Sequence, residues 1–313
     1  MTELRDAVRR ATMTLAEAGV ASAPVDALHL AAHLRGEDVA ETRRLMVLGG
    51  VEAPDGYADL VAERANRVPL QHLTGRAYFR GLELEVGPGV FVPRPETELL
   101  VDLALRALAG VARPVVVDLA AGSGAIGFAV KQESPTATVY AVELTDLAHA
   151  WAVRNRDRLG LDVTVDRGDA RQAYPELAGV VDVVTCNPPY IPDGQVPVDP
   201  EVRDHDPGEA LYGGSADGLA LPVEMAAHAA ALLRDGGTLV MEHAETQGGT
   251  LPRALAGTGQ WGSVLDHVDL LGRPRCVVAT RHRPPHEALR SAPILRGDPG
   301  EPGIGCEVVS RHE

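Results

Sequence analysis

The chain has few cysteines and no long apolar run, and these shortages exclude several classes of protein. Its three cysteines, Cys186, Cys276 and Cys306, are scattered and odd in number, which argues against a disulfide framework and favours a reducing compartment. No cysteine or histidine shows metal-ligand spacing, so no metal site is predicted. No apolar run approaches the ~20 residues of a membrane span, and residues 1–10 lack the apolar core of a signal peptide. We therefore expect a cytoplasmic protein without a membrane partner.

Basic residues are also in short supply. The 29 lysines and arginines stand against 44 acidic residues, which gives a net charge of −15 and an isoelectric point near 5.2. Nucleic acids are bound mainly by basic side chains that neutralise phosphates, so this balance disfavours direct nucleic-acid binding but leaves room for a local basic patch. The length of 313 residues and the 45% hydrophobic content are typical of one large or two ordinary globular domains.

The spacing of apolar residues divides the chain into four parts. Residues 1–75 are predicted to form a domain of four helices, because apolar residues recur every three or four positions. Residues 76–93 alternate in part and are broken by glycines, which predicts a β-hairpin linker. Residues 94–282 alternate strands with helices, as in a parallel sheet covered by helices. Residues 283–313 are rich in proline and glycine and are predicted to be mostly disordered.

The helical domain has two candidate roles: to serve only as a structural unit that packs against the rest of the protein, or to bind a partner. Its second helix is expected to end at Gly36, and Asp55 is a good N-cap for the fourth.

Three successive strand ends carry residues suited to a nucleotide ligand. The first predicted strand, 115–119, runs into a turn of small residues that lets the backbone approach a ligand: Ala120, Ala121, Gly122, Ser123 and Gly124. Glu143 ends the next strand and can accept hydrogen bonds from ribose hydroxyls, and Asp169 follows the third strand, where it could accept from an adenine amino group. The glycine turn followed by Glu143 is also compatible with NAD, but we expect a ligand without a pyrophosphate.

The fourth strand ends in the turn Asn187-Pro188-Pro189-Tyr190. The Asn187 side chain offers an acceptor oxygen, and Pro188 fixes its own backbone and has no N–H to donate. Such a rigid turn presents acceptors and few donors, which suits a planar NH2 group of an amide or a base.

These motifs resemble those of class I S-adenosylmethionine methyltransferases that methylate planar nitrogens. Three further stretches are similar to the PrmC/HemK family: 69–75, 91–98, and 209–214 (Glu-Ala-Leu-Tyr-Gly-Gly) together with 217–219 (Asp-Gly-Leu). The resemblance covers roughly residues 1–281 and leaves out the tail. It implies an α/β, Rossmann-like fold with a mostly parallel seven-stranded sheet, an N-terminal helical domain and a β-hairpin linker.

The resemblance also implies an activity and its residues. The expected reaction transfers the methyl group of S-adenosylmethionine to the amide nitrogen of the glutamine in the Gly-Gly-Gln motif of class I peptide chain release factors, by a monomeric enzyme. Cofactor-binding residues would be Ala120, Ala121, Gly122, Ser123, Gly124, Glu143, Asp169, Ala170 and Asn187. The substrate amide would be held by Asn187, Pro188, Pro189 and Tyr190, of which Asn187, Pro188 and Tyr190 are the candidate catalytic residues. Ala120 stands where the family usually has glycine or cysteine, and Ala170 where some members have an aromatic residue.

The sequence leaves three alternatives open. A glutamine methyltransferase of a ribosomal protein would share every active-site residue. A methyltransferase of a DNA or RNA base amine is less well supported, because no basic strip with interleaved aromatic residues is present. A cofactor-binding protein without catalysis would leave the Asn-Pro-Pro-Tyr turn unexplained.

Overall fold

The computed structural model describes residues 2–282. The tail that was predicted to be disordered, residues 283–313, lies outside the described residues, as does Cys306. The two other cysteines, Cys186 and Cys276, are buried free thiols.

Five helices precede the first strand: α1 (Leu4–Glu17), α2 (Ala23–Arg35), α3 (Val39–Leu48), α4 (Tyr57–Ala65) and α5 (Leu70–Thr74). The apolar face of α1 packs against α2 and α4 in one buried cluster, which includes Leu15, Leu30 and Val61. Two details of the prediction were wrong. The short helix α5 was not predicted, and the N-cap of α4 is Gly56 (φ +76°) and not Asp55, because the helix begins at Tyr57.

A tight antiparallel hairpin follows, formed by β1 (Arg76–Phe79) and β2 (Leu82–Glu85). Its two turn residues, Arg80 and Gly81, both have positive φ (48° and 77°), which matches the right-handed twist of the paired strands. The hairpin is shorter than the sequence suggested, because residues 86–92 form no strand.

The rest of the described chain is built on a seven-stranded sheet with the order β5-β4-β3-β6-β7-β9-β8. Its strands are β3 (Val115–Leu119), β4 (Thr138–Glu143), β5 (Val163–Arg167), β6 (Val181–Cys186), β7 (Leu233–Glu242), β8 (Trp261–Val268) and β9 (Pro274–Arg281). The first five strands are parallel, and β9 runs antiparallel to both of its neighbours. This is the mostly parallel sheet of the predicted fold class, which is confirmed.

Helices cover both faces of the sheet: α6 (Glu98–Ala107), α7 (Ala125–Glu133), α8 (Asp146–Leu159), α9 (Pro200–His205), α10 (Ala220–Leu232) and α11 (Thr250–Ala256). Strand β3 is apolar on both sides because Val116 belongs to the core on one face and Val117 to the core on the other. The short helices α9 and α11 were not predicted from the sequence. No helix in residues 2–282 is long and apolar enough to cross a membrane.

Candidate active site

A cavity of about 510 Å³ lies at the carboxyl ends of β3, β4, β5 and β6. It brings together most of the residues that the sequence singled out, namely Ala120, Ala121, Gly122, Ser123, Glu143, Asp169, Ala170, Asn187, Pro189 and Tyr190. Two predicted residues are not in its lining. Gly124 lies behind the turn, and Pro188 is buried next to Asn187.

The turn after β3 is left-handed at three positions. Ala120, Gly122 and Gly124 have φ values of 59°, 56° and 89°. A Cβ atom on Gly122 would meet nothing within 4 Å, so this backbone faces open space in the cavity, whereas a Cβ on Gly124 would lie 2.1 Å from the Phe128 ring. Gly122 therefore leaves room for a ligand, and Gly124 allows α7 to pack closely behind the turn.

Two carboxylates support this turn from different sides. Glu143 accepts hydrogen bonds from the backbone N–H groups of Gly122 (2.9 Å) and Thr145 (3.0 Å), which fixes its position at the cavity wall. A carboxylate has about four lone-pair sites, so Glu143 keeps acceptor capacity for two hydroxyls. Asp118 is fully buried and accepts from Gly127 N–H (2.9 Å) and the Thr185 hydroxyl (2.8 Å). Burial raises the pKa of Asp118 to about 7.

Asp169 reaches the cavity but is already paired. Its carboxylate accepts from the Arg171 backbone N–H at 2.9 Å and from the Arg171 guanidinium at 2.6 Å. The hydrogen bond from the Arg171 side chain is the main cause that lowers the pKa of Asp169. Arg171 itself lines the cavity and bonds Glu224 at 2.9 Å. The role of Asp169 as an acceptor for adenine stays a prediction.

The Asn-Pro-Pro-Tyr turn is fixed by the segment 211–219. The backbone N–H groups of Tyr190 and Ile191 donate to the Leu211 carbonyl at 3.1 and 2.7 Å. A Cβ on Gly218 would lie 2.1 Å from the Tyr190 carbonyl oxygen, and a Cβ on Gly213 would lie 2.0 Å from the Gly218 carbonyl oxygen. Both glycines are therefore required by close backbone contact, which explains their place in the motif noted in the sequence.

A buried carboxylate that the sequence analysis missed holds Tyr190. Glu242, at the end of β7, accepts from the Tyr190 hydroxyl (3.2 Å) and from the Thr97 hydroxyl (2.7 Å). Burial is the largest cause that raises the pKa of Glu242 to about 7. The sequence pattern could have indicated Glu242, because this residue stands at the end of an apolar strand, as Glu143 does.

Gln247 holds the other side of the same turn. Its side-chain amide donates to the carbonyl oxygens of Tyr190 (2.8 Å) and Asp217 (2.9 Å). Nothing in the sequence pattern around Gln247 indicated this contact, since it joins positions 57 residues apart.

The cavity opens between residues that are far apart in the chain. On one side stand Phe91 and Arg94, with the Arg94 guanidinium 4.9 Å from the centre of the Phe91 ring. Arg94 also donates to Asp206 at 2.9 Å, and burial raises the pKa of Asp206 to about 6. We call this part of the cavity, together with the Asn187–Tyr190 turn and Thr97, the substrate half, and the part around Ala120–Gly124 and Glu143 the cofactor half.

The cofactor half fits S-adenosylmethionine. The Gly122 backbone opens onto free space that a side chain would fill, the fixed Glu143 carboxylate suits ribose hydroxyls, and Val142 and Met225 provide apolar lining. Among the described residues, no group of three or more His, Cys, Asp or Glu could hold a metal ion.

Comparison with known proteins assigns this architecture to a family. Residues 6–75 match the model of the PrmC N-terminal domain, and residues 83–199 match the methyltransferase small domain. The release factor glutamine methyltransferase of Streptomyces coelicolor is 48% identical over 280 residues, which covers 88% of this chain and 98% of the relative. The 4-amino-L-phenylalanine/4-methylamino-L-phenylalanine methyltransferase of Streptomyces pristinaespiralis is 39% identical, covering 87% of this chain and 92% of that protein.

A solved methyltransferase structure from Pyrococcus furiosus aligns with a TM-score of 0.45 and 18% identity, over 65% of this chain and 90% of its own. The two family models and the 48% identity over nearly the whole length of a relative confirm the resemblance seen in the motifs, and the chain belongs to the release factor glutamine methyltransferase (PrmC) family of S-adenosylmethionine-dependent methyltransferases.

Proposed function

We propose that this protein methylates the side-chain amide nitrogen (N5) of the glutamine in the Gly-Gly-Gln motif of class I peptide chain release factors. It would act in the cytoplasm as a monomer, without direct contact to nucleic acid. The observation that carries the proposal is the placement of Asn187 and Tyr190 in the same cavity as the Ala120–Gly124 turn and Glu143. A planar NH2 group held by Asn187 would therefore meet a methyl donor held by the cofactor half.

The residues of the substrate half supply acceptors for an NH2 group. When bound, S-adenosylmethionine supplies an electrophilic methyl group on its sulfonium. The side-chain oxygen of Asn187, which lies in the cavity lining, would accept one amide hydrogen, and the carbonyl of Pro188, just outside that lining, would accept the other once the amide enters the turn. The two contacts would orient the nitrogen and stabilise the positive charge that develops on it. An amide nitrogen is a poor nucleophile because its lone pair is delocalised, so this alignment is the main contribution of the turn. The proton can leave after the transfer.

Tyr190 lines the cavity and is held in position by hydrogen bonds. Its hydroxyl is bonded to Glu242 and its carbonyl to Gln247, so both ends of the residue are held. The turn is therefore preorganised before the substrate arrives, which reduces the cost of orienting the amide.

We further propose that residues 1–75 form the domain that docks the protein substrate, residues 76–93 the linker and residues 94–282 the catalytic domain. A groove of about 340 Å³ between the first three helices supports docking. It is lined by Arg5, Arg9 and Arg43 and by no acidic residue, with Val8 and Leu28 among its apolar lining. In a chain of net charge −15, this local basic surface suits an acidic segment of a protein.

One substrate panel tests the proposal. The protein is incubated with radiolabelled S-adenosylmethionine and a release factor, the same release factor with its glutamine changed to alanine, a ribosomal protein, or DNA. We expect label on the intact release factor and none on the alanine form. Label on the ribosomal protein or on DNA alone would replace the proposed substrate with one of the alternatives.

A second candidate substrate class is favoured by one relative. An aromatic amine, such as that of 4-amino-L-phenylalanine, resembles an amide in having an NH2 group conjugated to a planar system. The relative named for that amino acid is 39% identical over most of its length. The panel therefore includes 4-amino-L-phenylalanine, and a higher kcat/KM for it than for the release factor would assign this chain to small-molecule methylation.

A further inference from the structure

A buried ion cluster joins helix α9 to the N-terminal helices. Glu201, on α9, is 8% exposed and accepts from Arg64 Nη1 at 2.7 Å and from Arg67 Nε at 2.8 Å. Arg67 Nη2 also bonds the second Glu201 oxygen. Arg64, itself 6% exposed, is held from behind by Asp26 at 2.7 Å. The contacts between the arginines and Glu201 span more than 130 residues of chain, so they tie two distant segments together.

The backbone of Arg67 adopts a conformation that is unusual for a residue other than glycine. Its φ is +68°, in the left-handed region that favours glycine, at the position just after the cap of α4. The Arg67 side chain uses this position to bond Glu201, to approach Asp199 within 3.4 Å, and to donate to the Gly19 carbonyl at 3.2 Å. A left-handed arginine costs free energy relative to glycine, so a gain elsewhere must offset it.

Helix α9 forms part of the substrate half. Residues 199–211, which we call the α9 segment, line the cavity through Asp199, Val202, Pro207, Glu209, Ala210 and Leu211. The helix has only six residues and could not hold its place alone. Two ion pairs hold it: Glu201 bonds Arg64 of the N-terminal helices, and Asp206, which follows the helix, bonds Arg94.

We propose that Arg67 and Glu201 are positioning residues that hold the α9 segment as a wall of the substrate half. Neither residue lines the cavity. Their contact sets the position of Val202 and its neighbours, so the N-terminal helices shape the substrate half directly as well as docking the substrate. The kinetic test of this inference, which measures KM, rests on the proposed function. The structural test, which measures amide hydrogen exchange, does not depend on it.

The chain offers a matched control for the test. Arg80 also has a left-handed backbone (φ 48°) and also bonds two carboxylates, Asp102 at 2.6 Å and Glu133 at 2.6 and 2.7 Å, but it lies in the hairpin turn outside the cavity lining. Arg67→Gly and Arg80→Gly therefore remove the same kind of side chain and relieve the same kind of backbone strain. Only the first removes contacts to the α9 segment, which then keeps Arg64 as its one basic partner at Glu201.

The kinetic experiment compares KM, kcat and cofactor Kd for both variants, with a whole release factor and with a short Gly-Gly-Gln peptide. We expect Arg67→Gly to raise KM about tenfold for both substrates, with kcat and the Kd of S-adenosylmethionine within about twofold of wild type, and Arg80→Gly to change none of them. A rise for the whole protein alone would assign Arg67 to docking and overturn the proposal, as would unchanged KM in Arg67→Gly.

Two further measurements keep the inference separate from the proposed function. Glu201→Gln, which keeps the shape of the side chain, should raise the peptide KM in the same direction, and an unchanged KM in this variant would overturn the role of Glu201. Amide hydrogen exchange in the α9 segment should be faster in Arg67→Gly than in Arg80→Gly, whatever substrate the enzyme uses. Equal exchange in the two variants would reject the link even if the release factor proves to be the substrate.

Discussion

The two halves of the cavity are assembled in different ways. In the cofactor half, the supporting hydrogen bonds join residues within one strand end or on neighbouring strands: Glu143 bonds Thr145 and Gly122, 2 and 21 residues away. The longest of them, between Asp118 and Thr185, spans 67 residues and joins the adjacent strands β3 and β6. In the substrate half, Arg94 bonds Asp206 across 112 residues and Thr97 bonds Glu242 across 145. The cofactor half is thus a property of neighbouring strand ends, whereas the substrate half depends on the packing of the whole described chain.

Because the two halves are assembled differently, mutations in them are expected to change different properties of the protein. In an open parallel sheet a crevice forms at the carboxyl ends of the strands where the strand order reverses, which here is between β3 and β6, so the cofactor half follows once the sheet has formed. The substrate half is held by buried charges, including Glu201 and Asp206, which are costly to leave without partners. We expect changes of ligand-facing groups in the cofactor half to affect cofactor affinity, changes of its backbone turn to affect stability, and changes in the substrate half to affect turnover, KM or stability.

The largest effect is expected for Asn187→Ala. Loss of one aligned acceptor should lower kcat about a hundredfold, or ~3 kcal/mol of transition-state stabilisation, with little change in the Kd of S-adenosylmethionine. Single-turnover kinetics and calorimetric cofactor binding measure the two quantities. Asn187→Asp keeps an acceptor oxygen and should lose less activity than the alanine variant; near-normal turnover by Asn187→Ala would remove the residue from its assigned role.

The complementary change in the cofactor half is Glu143→Gln. Loss of a charged acceptor for the ribose hydroxyls should raise the Kd of S-adenosylmethionine about tenfold, equivalent to ~1.4 kcal/mol. At saturating cofactor, kcat should stay close to that of wild type. The exposed Asp162→Asn serves as the control, because it removes a carboxylate outside the cavity lining. An equal Kd in both variants would show that Glu143 does not contact the cofactor.

The buried Glu242 predicts a pH dependence of stability. Its folded pKa of about 7 lies above the usual value, so the unfolded chain releases this proton first and the free energy of unfolding falls as pH rises from about 4.5 to 7. One such group contributes a slope of up to ~1.4 kcal/mol per pH unit. Asp118 and Asp206 have raised pKa values and add to the slope.

The measurement is urea unfolding of wild type and Glu242→Gln at about pH 5 and about pH 7. The variant should lose less stability than wild type between these values. Glu245→Gln, which removes an exposed carboxylate three residues away, should keep the full wild-type slope. A slope in Glu242→Gln equal to that of wild type would show that Glu242 is ionised in the folded protein.

The smallest effect concerns Ala120. Its φ of 59° favours glycine, so Ala120→Gly should raise the free energy of unfolding by about 1 kcal/mol. The neighbouring Ala121 is not in the left-handed region, so Ala121→Gly should lower stability instead. Thermal and urea unfolding of the two variants give the comparison. A loss of stability in Ala120→Gly would show that the turn is not strained.

The sequence predicted the turn and the Glu143 carboxylate that line the cofactor half of the cavity, and only some of the residues that surround the substrate half. Glu143 and the Ala120–Gly124 turn follow apolar strands, and the position of a residue after a parallel strand almost determines where it points. Glu242 fits the same rule but was missed. Gln247 and Arg67 could not have been found this way, because their partners lie 57 and more than 130 residues away.

The secondary structure shows the same contrast. The bounds of β3 follow from a local run of apolar residues and agree with the predicted 115–119. Helices α9 and α11 were missed because each is short, at six and seven residues, and is stabilised by its contacts more than by its own sequence. Strand β8 is an edge of the sheet, whereas β9 lies between β7 and β8. The antiparallel direction of β9 is set by the turn that joins it to β8 and by its pairing with β7.

By itself the sequence determined the α/β fold, the cofactor turn and the Asn187–Tyr190 turn, because each depends on a short stretch whose geometry is fixed by glycine, proline or the end of a strand. Only the tertiary structure decided what surrounds that turn: Glu242 and Gln247 behind Tyr190, and the α9 segment held by Arg64 and Arg67. The physical reason is that buried charges and amides find their partners in space, and the order of residues along the chain carries little record of those partners.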